Sequence, residues 1–295
     1  RRRRRYAIAY EYKLLRYDVD LVRVDSYDMS VEKYQPKNAW MGVNEKEQVV
    51  DIFGFMARKR KEEFSGIYHE QFDLETKEWA PIDRKETYLN FDRNDEFQFR
   101  SEHLFELRDQ VYNYKIRDVV YLSNDDPVFI AEHENFWQDS VVDPQTQAVE
   151  YSNYYKFNDI IAAKVNADNN KMEWSTRIPK SQYSYNDYGD YSSFAYVAEG
   201  EKVTFFYNDH RKNLKMLAND LYRMDNLKVI RSPQRRGRAI SVTLFSDGKI
   251  YGSYMFDKKH KKVVIKPELL VPYRDAYYVY MEKGNNFQFA KFNIE

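Results

Sequence analysis

The sequence predicts an all-β fold, and three observations carry that prediction. Apolar and polar residues alternate with a period of two, as in Ile240-Ser241-Val242-Thr243-Leu244, the pattern of a half-buried strand. Aromatic residues make up 17% of the chain, with 27 Tyr and 19 Phe, and such side chains favour half-buried sheet positions. Short Asn/Asp-rich stretches separate the apolar runs, where a chain reversing between two strands needs them.

The hairpin signals recur in order. Val119 to Leu122 leads through Asn124-Asp125-Asp126-Pro127 into Val128-Phe129-Ile130. Val203 to Tyr207 runs into Asn208-Asp209. Ile240 to Leu244 is followed by Ser246-Asp247-Gly248-Lys249 and then by Ile250 to Phe256, an Asp-Gly hairpin. Tyr277 to Met281 leads through Lys283-Gly284-Asn285-Asn286 into Phe287 to Phe292. A longer recurrence links Gln71 to Trp79 with Lys164 to Trp174. Each is an apolar alternation, a polar turn, a Lys and then a Trp, with Pro81 and Pro179 following at similar offsets. Repeated short strands with one aromatic mark per unit suggest propeller-like antiparallel sheets, about six or seven blades at roughly 40–50 residues each. With only nine Gly residues, Asn and Asp must supply much of the turn chemistry.

Two segments depart from this pattern. Leu104, Leu107, Val111 and Tyr114 have helical spacing behind a Ser101 cap, and Leu214, Leu217, Leu221 and Met224 have it too. Short helices on loops are expected there. The charged segment from Ala57 to Phe64 reads as an exposed loop. No Pro/Gly/Ser-rich linker divides residues 1–295, so a single propeller-like domain is expected.

The charge pattern limits the partners. The 47 basic and 47 acidic side chains balance, and without the run Arg1 to Arg5 they stand at 42 against 47. That run reads as a tag or a stretch of uncertain sequence before it reads as a nucleic-acid or membrane-surface arm. No basic patch then dominates, which argues against nucleic acid as partner. The absence of Cys removes disulfides, thiol nucleophiles and Cys-based zinc sites. No apolar run has the length of a membrane span.

Signatures of catalysis are missing. There is no P-loop, Gly-rich dinucleotide turn or G-x-S-x-G elbow. The histidines at 69, 103, 133, 210 and 260 have no ligand spacing among them, and Glu132-His133-Glu134 reads as an exposed strand or turn, alternation sending His133 away from its neighbours. Asn166-Ala167-Asp168-Asn169-Asn170 spaces oxygens as calcium loops do, but it lacks the Gly and the late bidentate Glu of an EF-hand and reads as a turn. Tyr183, Tyr185, Tyr188 and Tyr191 suit sheet packing or stacking on sugar rings. No catalytic residue, cofactor site or metal site is expected.

The richest segment runs from Trp174 to Asn213. Its Trp174, Ile178, Pro179, Lys180 and Gln182 form a W-x-x-x-I-P-K-x-Q string, followed by Tyr191-Ser192-Ser193 and by Asn208, Asp209 and Asn213. Read physically, Trp174 packs between sheets, Pro179 ends a strand, and the short polar residues bond backbone in turns. The combination resembles an uncharacterised Bacteroidota family of exported, propeller-like envelope proteins, over about residues 111–295. The resemblance implies a periplasmic or outer-membrane-associated location and no established active site. The expected role is therefore a non-catalytic interaction or accessory subunit of an envelope complex. Such a subunit would cap or support an outer-membrane transport or secretion channel from the periplasmic side. The alternatives are a glycan-binding protein or glycoside hydrolase, marked by paired carboxylates across an aromatic-lined cleft, and a calcium-stabilised structural protein.

Overall fold

A computed structural model describes residues 12–29, 34–58, 64–80, 88–90, 113–217, 227–256 and 262–293. The chain divides into two compact units, Arg1–Asn90 and Phe91–Glu295, although no linker-like composition marks the boundary. The expected all-β class is met: repeated antiparallel sheets make up both units, and among the described residues there are five.

The first unit opens with the hairpin β1 (Lys13–Tyr17) and β2 (Arg23–Asp28). Asp18 closes its turn, its Oδ1 accepting the Asp20 and Val22 amides at 3.0 and 2.9 Å. A four-stranded antiparallel sheet follows, from β3 (Tyr34–Asn44), β4 (Val49–Arg58), β5 (Phe64–Asp73) and β6 (Tyr88–Asn90). Val50, Ile52, Tyr68 and Phe72 form a core against which Leu14, Tyr27 and Trp79 pack. Of the loop expected from Ala57 to Phe64, Ala57 lies in β4 and Phe64 is a buried residue of β5, while residues 59–63 lie outside the described residues.

In the second unit the largest sheet joins β7 (Tyr114–Tyr121), β8 (Pro127–Val142), β9 (Val149–Asn166), β10 (Lys171–Ile178), β11 (Gln182–Tyr185) and the short β14 (Ile230–Arg231). All pairs are antiparallel except β11 with β14. A second sheet runs β12 (Ala195–Glu199), β13 (Lys202–Asp209), β15 (Arg238–Phe245) and β16 (Ile250–Tyr254). A third is the meander β17 (Val264–Tyr273), β18 (Ala276–Lys283) and β19 (Asn286–Phe292). Two short helices, α1 (Arg211–Leu217) and α2 (Pro233–Arg236), lie between strands.

Period-two alternation builds the core. Val203, Phe205 and Tyr207 of β13 point one way, with Ile240, Val242 and Leu244 of β15, into Val128, Ile130, Ile160 and Ala162 of the large sheet. Phe206 and Ala239 point the other way, into Ile265, Val279 and Met281. The middle sheet is thus buried on both faces, and each such side chain removed from water contributes about 1.5–3 kcal/mol. Sheets stacked face to face in this way are the propeller-like element of the fold.

Most of the expected hairpins form, the Asp247-Gly248 turn among them, with Gly248 at φ +82°. Asn208-Asp209 instead ends β13 and leads into α1, which begins the helix expected around Leu214 and Leu217; Leu221 and Met224 lie outside the described residues. Tyr114 corrects the other helical reading, since it is a buried residue of β7, while Ser101, Leu104, Leu107 and Val111 lie outside the described residues, as does the Arg1 to Arg5 run.

Candidate functional site

The motif residues converge, but away from solvent. Ile178, Lys180, Gln182 and Asn208 are wholly buried, and Pro179, Tyr191, Ser192, Ser193, Asp209 and Asn213 are buried too. Pro179 follows the last residue of β10, as its missing amide hydrogen requires. Trp174 is half-buried against the core, and its indole N–H donates to the Ser246 carbonyl at 2.8 Å.

At the centre lies Glu132 of β8. One carboxylate oxygen accepts from Lys180 Nζ at 2.5 Å. The other accepts from Arg117 at 2.6 Å and from Ser193 Oγ at 2.6 Å. Lys180 also donates to Gln182 Oε1 at 3.1 Å, the same atom that accepts the Ser193 amide at 2.7 Å. Gln182 Nε2 reaches the Asn208 carbonyl at 2.8 Å. The Asn208 side chain in turn bonds the Tyr191 carbonyl at 2.8 Å and, through both ends of its amide, Ile265 of β17 at 2.7 and 3.0 Å. The network therefore ties all three sheets of this unit together. Burial holds the Lys180 ammonium below its usual pKa although Glu132 opposes that shift.

A second buried group adjoins it. Opposite His133, β9 carries two residues, Asn158 and Asp159, in a bulge that turns both inward. Asp159 accepts from Arg177 and from the Tyr114 hydroxyl. Burial would raise its pKa, but Arg177 outweighs that and holds it below the ordinary carboxylate range. His133 Nδ1 lies 3.0 Å from Asn158 Nδ2. The reading of Glu132-His133-Glu134 as exposed is therefore corrected: Glu132 and His133 are both buried, because the bulge and the facing cations give them partners. Glu132 and Arg117 were not among the sequence candidates. The available signal was a charge continuing the buried run Val128 to Ala131, since a buried charge needs a partner.

Asp209 stands apart electrostatically. Burial raises its pKa to about 7, against the pull of Asn213 Nδ2 and the His210 amide on Oδ1 at 2.8 and 2.7 Å. In the Asn166–Asn170 turn the oxygens are used locally, Asn166 accepting the Asn169 amide and Asn169 that of Lys171. No cluster of three metal-ligating side chains occurs among the described residues.

Two surface features of the second unit stand out. Trp137 of β8, Tyr154 of β9 and Tyr185 of β11 stand directly opposite one another across three strands, with Tyr183 two residues along the same face. Trp137 and Tyr154 stack at 5.2 Å with planes 10° apart, and Tyr185 lies 5.3 Å from Tyr154. Two cross-strand rings stacked this way, Trp137 and Tyr154, stand on edge over the sheet, while Tyr185 is tilted 49° to Tyr154. The four predicted tyrosines are thereby separated: Tyr183 and Tyr185 join this row, Tyr188 is 82% exposed, and Tyr191 is buried with its hydroxyl on Glu282 at 2.5 Å. The other is a cleft of about 790 Å³ lined by α2 and the strands beside it, including Arg235, Arg236, Arg238, Lys262 and, among the described residues, a single carboxylate, Glu282.

No helix among the described residues is long and apolar enough to cross a membrane. No family model matches the chain, and no curated protein matches it. Among solved structures it is similar to a GH43 β-1,3-galactosidase, at 10% identity and a TM-score of 0.23 over 92% of this chain and 56% of that one. It is also similar to an exo-β-1,3-galactanase from Clostridium thermocellum, at 8% identity and a TM-score of 0.23 over 93% of this chain and 60% of that one. The chain spans less than two thirds of the length of either enzyme. Likenesses this distant assign it neither a site nor an activity.

Proposed function

We propose that this chain is a non-catalytic interaction module that docks on a protein partner through the aromatic face of β8, β9 and β11. The observation that carries the reading is the cross-strand row of Trp137, Tyr154 and Tyr185, its first two rings stacked, on strands whose outer halves stand clear of the core. Aromatic side chains dominate the energetics of protein interfaces. Rings on edge offer a partner ridges to interdigitate with, whereas a sugar needs a ring face to lie on. The polar motif supports the same reading from inside, as a sealed scaffold holding three sheets together. On the motif's resemblance, the setting is the periplasmic side of a Bacteroidota outer-membrane assembly, where the module caps or supports a transport or secretion channel. A stable interface of this kind buries upwards of about 1,000 Å².

The glycoside hydrolase alternative needs two carboxylates across a cleft, and among the described residues the basic cleft presents Glu282 alone. Mild-detergent extraction of the native protein tests the proposal. The wild type should co-migrate with larger chains, and Trp137→Ser with Tyr154→Ser should release it as a folded monomer. If the wild type runs alone where large outer-membrane complexes stay intact, the proposal fails.

A further inference from the structure

Several inward-facing cations of the second unit have carboxylate partners: Arg117 and Lys180 have Glu132, Lys164 has Asp126 and Glu173, Arg177 has Asp159, and Lys266 has Asp190. Arg235, Arg236, Arg238 and Lys262 share one cleft, and none of them has an ion pair among the described residues. Arg238 has only the neighbouring Gly237 carbonyl, at 2.6 Å. The one carboxylate of the cleft is already engaged, since Glu282 accepts from the Tyr191 and Tyr280 hydroxyls at 2.5 and 2.8 Å and from Gln234 at 3.2 Å. Four cations thus line one cleft with no ion-pair partner among the described residues, in a chain whose sequence is otherwise slightly acidic. His210 lines the same cleft, and burial, then Lys212 and Arg211 outside the cleft and Arg238 within it, push its imidazole below the usual pKa.

We propose that this cleft binds a small molecule carrying two or more oxyanion groups, either phosphates or carboxylates. Guanidinium forks match both groups with paired N–H donors. A volume of about 790 Å³ falls within the roughly 300–1,000 Å³ of small-molecule sites. Val229, Ile230 and Val264 supply an apolar wall, so the ligand has a compact body between its charges. The cleft shares no lining residue with the aromatic row, and the proposal does not depend on that face having a partner.

Isothermal titration calorimetry of the full chain with pyrophosphate and with citrate tests the proposal. Saturable binding of pyrophosphate alone identifies a phosphate ligand, of citrate alone a polycarboxylate, and of both the shared oxyanion chemistry; each supports the site. Arg235→Gln with Arg236→Gln should weaken that binding at least tenfold with an unchanged melting temperature, since both side chains are exposed. Lys262→Gln, on a separate segment, should weaken it several-fold. Lys249→Gln, on the distant turn after β15, should leave it unchanged. No binding of either anion overturns the proposal, as does equal weakening by Lys249→Gln. Binding confined to a long polyanion such as heparin overturns it too.

Discussion

Both units bury acidic side chains, but they use them at different ranges. In the first unit Asp51 is held by His69 Nε2 and Gln71 Nε2, each at 2.9 Å. All three lie on the paired strands β4 and β5, with Gln71 directly opposite Asp51. In the second unit Glu132 has one such local partner, Arg117 of the paired strand β7, but it is also held by Lys180 and Ser193, 48 and 61 positions away, on segments that do not neighbour it in sequence. The tryptophans of the recurring hairpin repeat this contrast. Trp79 packs on Phe72 of its own hairpin, whereas Trp174 bonds Ser246 of another hairpin 72 residues along. Short-range contacts secure the register of one sheet. Long-range contacts hold sheets against one another, so losing one should cost the whole unit.

The largest effect should come from Lys180→Met. It leaves Glu132 buried with a partner missing, which typically costs about 3–5 kcal/mol. Adding Glu132→Gln should recover part of that loss, because a neutral amide is cheaper to bury than a charge short of a partner. Asp51→Asn keeps an acceptor for His69 or Gln71 and should cost about 1–3 kcal/mol. Urea unfolding of each variant measures the difference. If Asp51→Asn proves as damaging as Lys180→Met, the distinction between local and long-range networks is wrong.

Asp209 sharpens the same point through pH. Its folded pKa of about 7 lies above the ordinary 3.8. Between those values the folded state holds a proton that the unfolded state has released. Stability from this group is therefore full below about pH 4, falls as pH rises towards 7, and levels off above. The total is on the order of 4 kcal/mol if the unfolded value is ordinary. Asp209→Asn keeps the Oδ1 acceptor for Asn213 and has no proton to lose. The stability difference between variant and wild type should therefore grow across pH 4 to 7, and parallel denaturation curves would refute the assignment.

Legibility in the sequence followed the same division of range. Strands such as β15 and β16 were readable because period-two alternation and an Asp-Gly turn are local signals. The double burial of β13 was not, since Phe205-Phe206-Tyr207 looks alike whether one face or two is covered. The motif marked Lys180, Gln182, Ser193 and Asn208, yet nothing near them in sequence names Glu132 or Arg117 as partners. Glu132 was misread because alternation treats a charged strand residue as outward-facing, while a bulge and two cations made burial feasible here. The cleft escaped notice because Arg235-Arg236-Gly237-Arg238 alone looks like a charged turn, and Lys262 joins it only through the fold.

The smallest effect isolates the Trp174 contact. Gly248 sits at φ +82°, where any L side chain is strained, and a Cβ there would approach Trp174 Cγ to 3.0 Å. Gly200 has a similar φ of +61° with nothing within 4 Å of the added atom. Gly200→Ala therefore reports the backbone penalty alone, about 1–2 kcal/mol. Gly248→Ala carries the same penalty plus the displacement of an indole that is bonded to Ser246 and packed on the core. It should cost roughly 1 kcal/mol more, in the range of overpacking losses. The indole cannot easily retreat, because Thr176 Oγ1 on the same strand donates to the Gly248 carbonyl at 2.8 Å and keeps the two hairpins together. Thermal unfolding of the two variants, each against wild type, gives the comparison directly. Equal losses would mean that Trp174 yields freely, and that its long-range contact adds nothing measurable to the second unit.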